Sequence, residues 1–195
     1  TGAQVWGYDA EGRLTASDVE LTLIPYYAWA HRGSGNMMVW LPQEVSATSP
    51  SMPATLASES RVDASHKTTA LSAINDRLVP VDENDRSMAY YHWWPKKNST
   101  EWITYEFPKP SKVSSSTVYW FDDEPWGGCR VPQSWKLYYK DEQGGWTPVS
   151  AVGTYGTKKG VPNTVEFTPV QTTAMKLEVV LPKDNSAGVF EWEVE

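Results

Sequence analysis

The chain has 195 residues, 40% of them hydrophobic and 21% charged, which is enough apolar material for a packed core and excludes intrinsic disorder. Its 17 Lys and Arg against 24 Asp and Glu give a net charge of −7 with no basic cluster, which argues against phosphate-driven nucleic-acid binding. No apolar run approaches the ~20 residues of a membrane-spanning helix and no basic-then-apolar leader opens the sequence; a single cysteine, Cys129, excludes an internal disulfide framework or a cysteine-based zinc site.

In chain order, Val19 to Ile24 and Met37 to Leu41 read as strands within a first piece, residues 1–45, too short to build a core alone. It is expected either to pack onto the larger module or to be the end of a preceding domain. A Ser/Thr/Ala/Pro stretch makes residues 46–57 a linker. Residues 58–195 form the main module, where period-two alternation marks half-buried strands. Ile103, Tyr105 and Phe107 share one face of a first run, and Val113 to Trp120 is a second beyond the Pro108-Lys109-Pro110 turn. Trp135, Leu137 and Tyr139 alternate in a third, and Met175, Leu177, Val179 and Leu181 in a fourth. In the last, Phe190, Trp192 and Val194 alternate with Glu191, Glu193 and Glu195, which predicts an outward acidic face. Many short strands separated by polar turns indicate an all-β sandwich or barrel.

Tryptophan is the outlying number: 11 Trp and 10 Tyr against 4 Phe. Aromatics with a polar edge suit surfaces that are half apolar and half wet, such as the C–H face of a sugar ringed by hydroxyls. Most of these rings are expected in the core and a few on a ligand.

The ordered set Ala73-Ile74-Asn75-Asp76, Trp102 to Phe107, Pro132 to Tyr139 with Trp146, Asn163 to Phe167 and Gly188 to Trp192 resembles the discoidin, or coagulation factor V/VIII type C, domain and carbohydrate-binding module family 32. The resemblance implies a galactose-binding-domain-like jelly-roll β-sandwich. Ile24-Pro25-Tyr26-Tyr27-Ala28-Trp29-Ala30-His31-Arg32-Gly33, with Met38-Val39-Trp40-Leu41-Pro42, resembles the closing segment of β-L-arabinofuranosidase-type glycoside hydrolases of family 127. Together these imply a C-terminal, non-catalytic fragment of a secreted or periplasmic hydrolase of Bacteroidetes. Its partners would be an arabinose- or galactose-containing glycan and the upstream catalytic domain, with no membrane or nucleic acid. The alternative is a module that braces the catalytic domain or mediates oligomerisation without binding sugar.

The resemblance implies a sugar site in which one aromatic stacks on the ring and polar side chains meet the hydroxyls. Pro125-Trp126-Gly127-Gly128 reads as an exposed loop, so Trp126 is the first candidate platform, with Trp94 or Trp93 next. His92, Asp122, Asp123, Glu124 and Arg130 would supply directional polar contacts. The three acidic residues are consecutive and point to alternate sides of an extended chain, which is unsuited to the facing carboxylate pair of glycoside hydrolysis. Cys129 reads as a small buried hydrophobe, and His31, His66 and His92 lack metal-ligand spacing. The resemblance also implies a structural calcium at Asn75, Asp76 and Glu191; the other reading is a turn cap at Asn75 and Asp76, with Glu191 salt-bridged to a neighbour.

Overall fold

The computed structural model describes residues 4–8, 14–18, 53–67 and 70–195, and the chain divides into two compact units, 1–51 and 52–195. In the first unit, β1 (Gln4–Tyr8) and β2 (Leu14–Asp18) pair antiparallel, with Trp6 opposite Ala16. Neither strand stands out by its pattern, because Gly7 and the polar pair Ser17-Asp18 interrupt the alternation. The strands expected over Val19 to Ile24 and Met37 to Leu41 lie outside the described residues.

The second unit contains β3 (Arg61–Ala64), a 3-10 turn (Leu71–Asn75), β4 (Tyr91–His92), β5 (Thr100–Phe121), β6 (Ser134–Lys140), β7 (Trp146–Pro148), β8 (Ala151–Val152), β9 (Asn163–Val180) and β10 (Gly188–Val194). Two strands are much longer than their sequence runs. β5 joins the runs on either side of Pro108-Lys109-Pro110, where a turn is expected. Proline cannot donate to a ladder, and the β5–β9 register accordingly slips between Glu106 and Ser111 instead of ending. The halves of β5 and β9 serve two layers. Their 100–106 and 174–180 halves pair with each other, with β3 on one side and with β6 and β7 on the other. Their 111–118 and 163–172 halves pair again, flanked by β10 and β4 and by β8.

The interior between the layers holds the aromatic excess. Tyr105 stacks on Trp192 with ring centroids 4.1 Å apart, and its hydroxyl lies 2.7 Å from the Trp192 carbonyl and 3.0 Å from that of Ile74. The Trp135 Nε1–H donates to the Gly156 carbonyl at 2.6 Å and the Trp192 Nε1–H to Ser116 Oγ at 2.8 Å. Buried indoles with satisfied N–H groups supply apolar area without an unpaired donor.

Two expectations need correction here. Residues 55–57 are not linker: Thr55 and Ser58 exchange backbone-to-side-chain hydrogen bonds at 2.8 and 3.1 Å, and Ala57 is buried in the core with its carbonyl bound to Asn75 Nδ2 at 2.8 Å. Nor does β10 present an acidic outer face. A register shift between Val189 and Glu191, together with the 3-10 turn packed against the strand, buries Phe190, Glu191 and Trp192 alike. Among the described residues no helix is long and apolar enough to cross a membrane.

Candidate functional site

The run Tyr90-Tyr91-His92-Trp93-Trp94 is extended through β4, so successive side chains face opposite ways. Tyr91 and Trp93 point inward and are fully buried, which takes Trp93 out of the candidate platform and into the core. Tyr90, His92 and Trp94 point the other way and line a pocket of about 270 Å³ completed by Phe121, Asp123, Gly127, Gly128 and Cys129. The same parity separates the acidic pair after β5. Asp123 reaches the pocket, whereas Asp122 turns inward at 1% exposed. Asp122 accepts the Glu124 and Val131 amides at 3.0 and 3.1 Å and meets Lys159 Nζ at 3.0 Å, so it supports the loop from beneath.

Asp123 organises the pocket wall. Its Oδ1 accepts the Cys129 amide at 2.7 Å, and its carbonyl accepts the Trp126 and Gly127 amides at 2.8 and 2.9 Å. Arg130 lies 3.5 Å from the same carboxylate and donates to the Gly127 and Cys129 carbonyls at 3.0 and 2.6 Å. It therefore braces the loop, and Glu124 is held outside it by Lys159 at 2.7 Å. From the opposite wall Arg86 approaches Asp123 Oδ2 at 3.7 Å and donates to the Tyr90 hydroxyl at 2.7 Å. Tyr90 itself stacks on Phe121 with centroids 3.9 Å apart.

The glycines set the position of the indole. A Cβ on Gly128 would fall within the Trp94 ring, and one on Gly127 within the Asp123 carboxylate. Trp94 thus rests on bare backbone and keeps 44% of its surface exposed. Gly128→Ala should displace that ring while leaving the core intact. The expected result is a melting temperature within about 3 °C of wild type and at least about tenfold weaker sugar binding, read by calorimetry.

His92 contributes a ring whose Nδ1 is buried without a protein partner. Burial, and then the His66 charge, hold its pKa below the usual histidine range, so the imidazole is neutral at pH 7. Cys129 has its thiol pushed up to about 12 by burial, which makes it an inert apolar surface in the pocket floor. Asp123 is the one carboxylate among the lining residues, where glycoside hydrolysis calls for two. Trp126 is 83% exposed and lies outside that lining, on the tip of the loop that supplies it. Tyr90, Phe121, Cys129 and the two glycines are the lining residues that sequence reasoning missed. The period-two alternation through Tyr90, His92 and Trp94 was the available signal for the first of them.

Residues 54–193, most of the chain, match the F5/8 type C domain. The chain belongs to the F5/8 type C domain family. Residues 4–42 match the glycoside hydrolase family 127 C-terminal domain. The F5/8 type C module is similar in structure to part of the Streptococcus pneumoniae β-galactosidase BgaA, at 18% identity and TM-score 0.57, over 68% of this chain and 89% of that one. It is similar to the family 32 carbohydrate-binding module of Clostridium perfringens NanJ, solved with galactose, at 19% identity and TM-score 0.55 over 71% and 95%. A third likeness is the C. perfringens module CpGH89CBM32-5, solved with GalNAc-β-1,3-galactose, at 15% identity and TM-score 0.54 over 73% and 99%. At these identities the likeness establishes the fold, an all-β, galactose-binding-like jelly roll, and the F5/8 type C module is a non-catalytic domain.

A separate carboxylate group lies where the 3-10 turn meets β10. Glu191 is fully buried; its Oε2 accepts the Arg77 amide at 2.9 Å, and its Oε1 has no hydrogen-bond partner. Glu193 Oε2 is likewise buried and unpaired. Burial, then the neighbouring Glu193, pushes the Glu191 pKa up to about 10, and burial raises those of Asp76 and Glu193. Asp76 Oδ1 caps the Leu78 amide at 2.9 Å, and the Asn75 amide is spent on the Ala57 and Ser60 carbonyls. Of the expected metal ligands, Glu191 and Asp76 are thus brought together, Asn75 serves the turn, and Glu193 is an addition. The orphaned oxygens fit a hard cation. Side chains of the described residues do not form a three-ligand cage, so backbone carbonyls would have to complete its shell.

Proposed function

We propose that residues 52–195 are a carbohydrate-binding module that holds one ring of an arabinose- or galactose-containing glycan and anchors a secreted or periplasmic bacterial glycoside hydrolase to it. The observation that carries the reading is the half-exposed Trp94 indole, fixed on Gly128 beside His92 and Asp123 in a pocket of about 270 Å³. An indole face packs the C–H surface of a sugar, while a neutral imidazole and a carboxylate accept its hydroxyls. A small open site implies an affinity of roughly millimolar to tens of micromolar. Tethering turns that weak contact into a raised local concentration of the upstream catalytic domain near polymer. The match of residues 4–42 to the family 127 C-terminal domain supports a β-L-arabinofuranosidase-like parent. Plant or host glycans are its proposed targets and Bacteroidetes its proposed source.

Affinity electrophoresis through gels containing arabinogalactan tests this reading. The 195-residue chain should be retarded relative to an inert protein of similar charge, and equal mobility in both gels would count against it. His92 adds a pH dependence. Because its folded pKa is depressed below that of the unfolded chain, the neutral ring is favoured, and its contribution is present above about pH 6.5 and lost as pH falls through the folded value. Retardation should therefore be constant from pH 8 to 6.5 and diminish only in more acidic gels.

For the carboxylate group we propose a structural calcium held by Glu191 and Glu193, with Asp76 beside them. Its part would be to neutralise buried charge and pin the 3-10 turn to β10.

A further inference from the structure

We infer that Trp126 is a second sugar subsite, so that the module recognises a neutral glycan of at least two units: a terminal ring in the Trp94 pocket and the adjoining ring on the Trp126 indole. This rests on the sugar-binding reading of that pocket. Trp126 is 83% exposed and lines no part of the pocket, yet its chain neighbour Gly127 does, which puts the two Cα atoms about 3.8 Å apart. A second ring leaving the pocket on that side would pass the residue that carries the indole.

The backbone that carries this ring is pinned by hydrogen bonds. The Trp126 and Gly127 amides both donate to the Asp123 carbonyl, the Cys129 amide donates to the Asp123 carboxylate, and Arg130 clasps the Gly127 carbonyl from the far side. Backbone groups of Asp123, Trp126, Gly127 and Cys129 are thus fixed around an indole that is 83% exposed. Presenting it in this way has already met the ordering cost that a mobile platform would incur on binding.

The size of the pocket points the same way. At about 270 Å³ it lies at the small end of ligand clefts, which run to ~1,000 Å³, so the first ring is assigned to it and the next to the surface beside it. The charges around the tip are mutually paired, Glu124 with Lys159 at 2.7 Å and Arg130 with Asp123 at 3.5 Å. The indole is therefore offered to an uncharged face.

Isothermal calorimetry on the 195-residue chain tests the inference with two pairs of probes, galactose against β-1,4-galactobiose and arabinose against arabinobiose. For whichever pair binds, the disaccharide should bind about tenfold more tightly than the monosaccharide, the size of one stacking contact. In Trp126→Ala that ratio should collapse to about one, and Trp126→Phe should recover part of it. An affinity ratio near one in the wild type, or a tenfold ratio that survives in Trp126→Ala, overturns the second subsite while leaving the pocket as a sugar site. Absence of binding to all four probes by folded protein overturns the sugar-binding reading itself, and this inference with it. Binding to phosphatidylcholine vesicles that Trp126→Ala abolishes would reassign the indole to a lipid surface.

Discussion

Trp94→Ala should remove sugar binding from the module while leaving it folded. The indole is the one large apolar face in the pocket that remains substantially exposed, and it packs over the bare backbone of Gly128. Losing a stacked indole costs about 2 kcal/mol or more at a desolvated hot spot, which takes a site of roughly hundred-micromolar affinity to several millimolar, beyond ordinary detection. Because the ring keeps 44% of its surface in solvent, the melting temperature should move by no more than about 3 °C. The fully buried Trp93, one residue earlier, is the opposite case. Its replacement by alanine should cost about 3–5 kcal/mol of stability, which chemical denaturation would register directly. Sugar affinity that survives Trp94→Ala would place the ligand elsewhere on the molecule.

The second large effect concerns Glu191. A fully buried carboxylate with one unpaired oxygen, next to Glu193 and Asp76, is unfavourable as an isolated anion and favourable as a calcium ligand. In a chelator, Glu191→Gln should leave stability at pH 7.5 unchanged or raise it by about 1–2 kcal/mol, because the carboxyl of the wild type must keep a proton to stay buried. In millimolar calcium the order should reverse. Wild type should gain about 3–4 kcal/mol for calcium at a hundred to a thousand times the dissociation constant, and the variant should gain nothing. Differential scanning fluorimetry in the two buffers reads both arms. A wild-type melting temperature indifferent to calcium would show that a proton and the surrounding charges hold the cluster.

Much of the sandwich was legible in the sequence because period-two burial is local: Ile103-Tyr105-Phe107 and Trp135-Leu137 pack as their alternation requires. What was not legible depends on distant partners. Pro108 and Pro110 break a ladder but not necessarily a strand, and only the pairing of β5 with β9 on both sides of the slip carries the chain through. Glu191 reads as an outward residue by parity, and it is the shifted register of β10 under the 3-10 turn that buries it. At the candidate site, the loop Pro125-Trp126-Gly127-Gly128 was correctly singled out as exposed, yet the residues it brings to the pocket are its glycines. Glycine acts there by what it leaves vacant, which becomes visible only once Trp94 is found resting on it. The distinction between Asp122 and Asp123 likewise follows from alternation, but which of the two faces inward depends on the loops carrying Lys159 and Val131.

The most direct test of the sugar-binding account is a tryptophan fluorescence titration of the 195-residue chain with arabinose- and galactose-containing oligosaccharides, run with and without calcium alongside Trp94→Ala. The account predicts a saturable change in emission for at least one of these sugars, absent from the Trp94→Ala protein. A flat titration across the whole set, from protein shown by circular dichroism to be folded, would contradict it and leave a module that braces its parent enzyme.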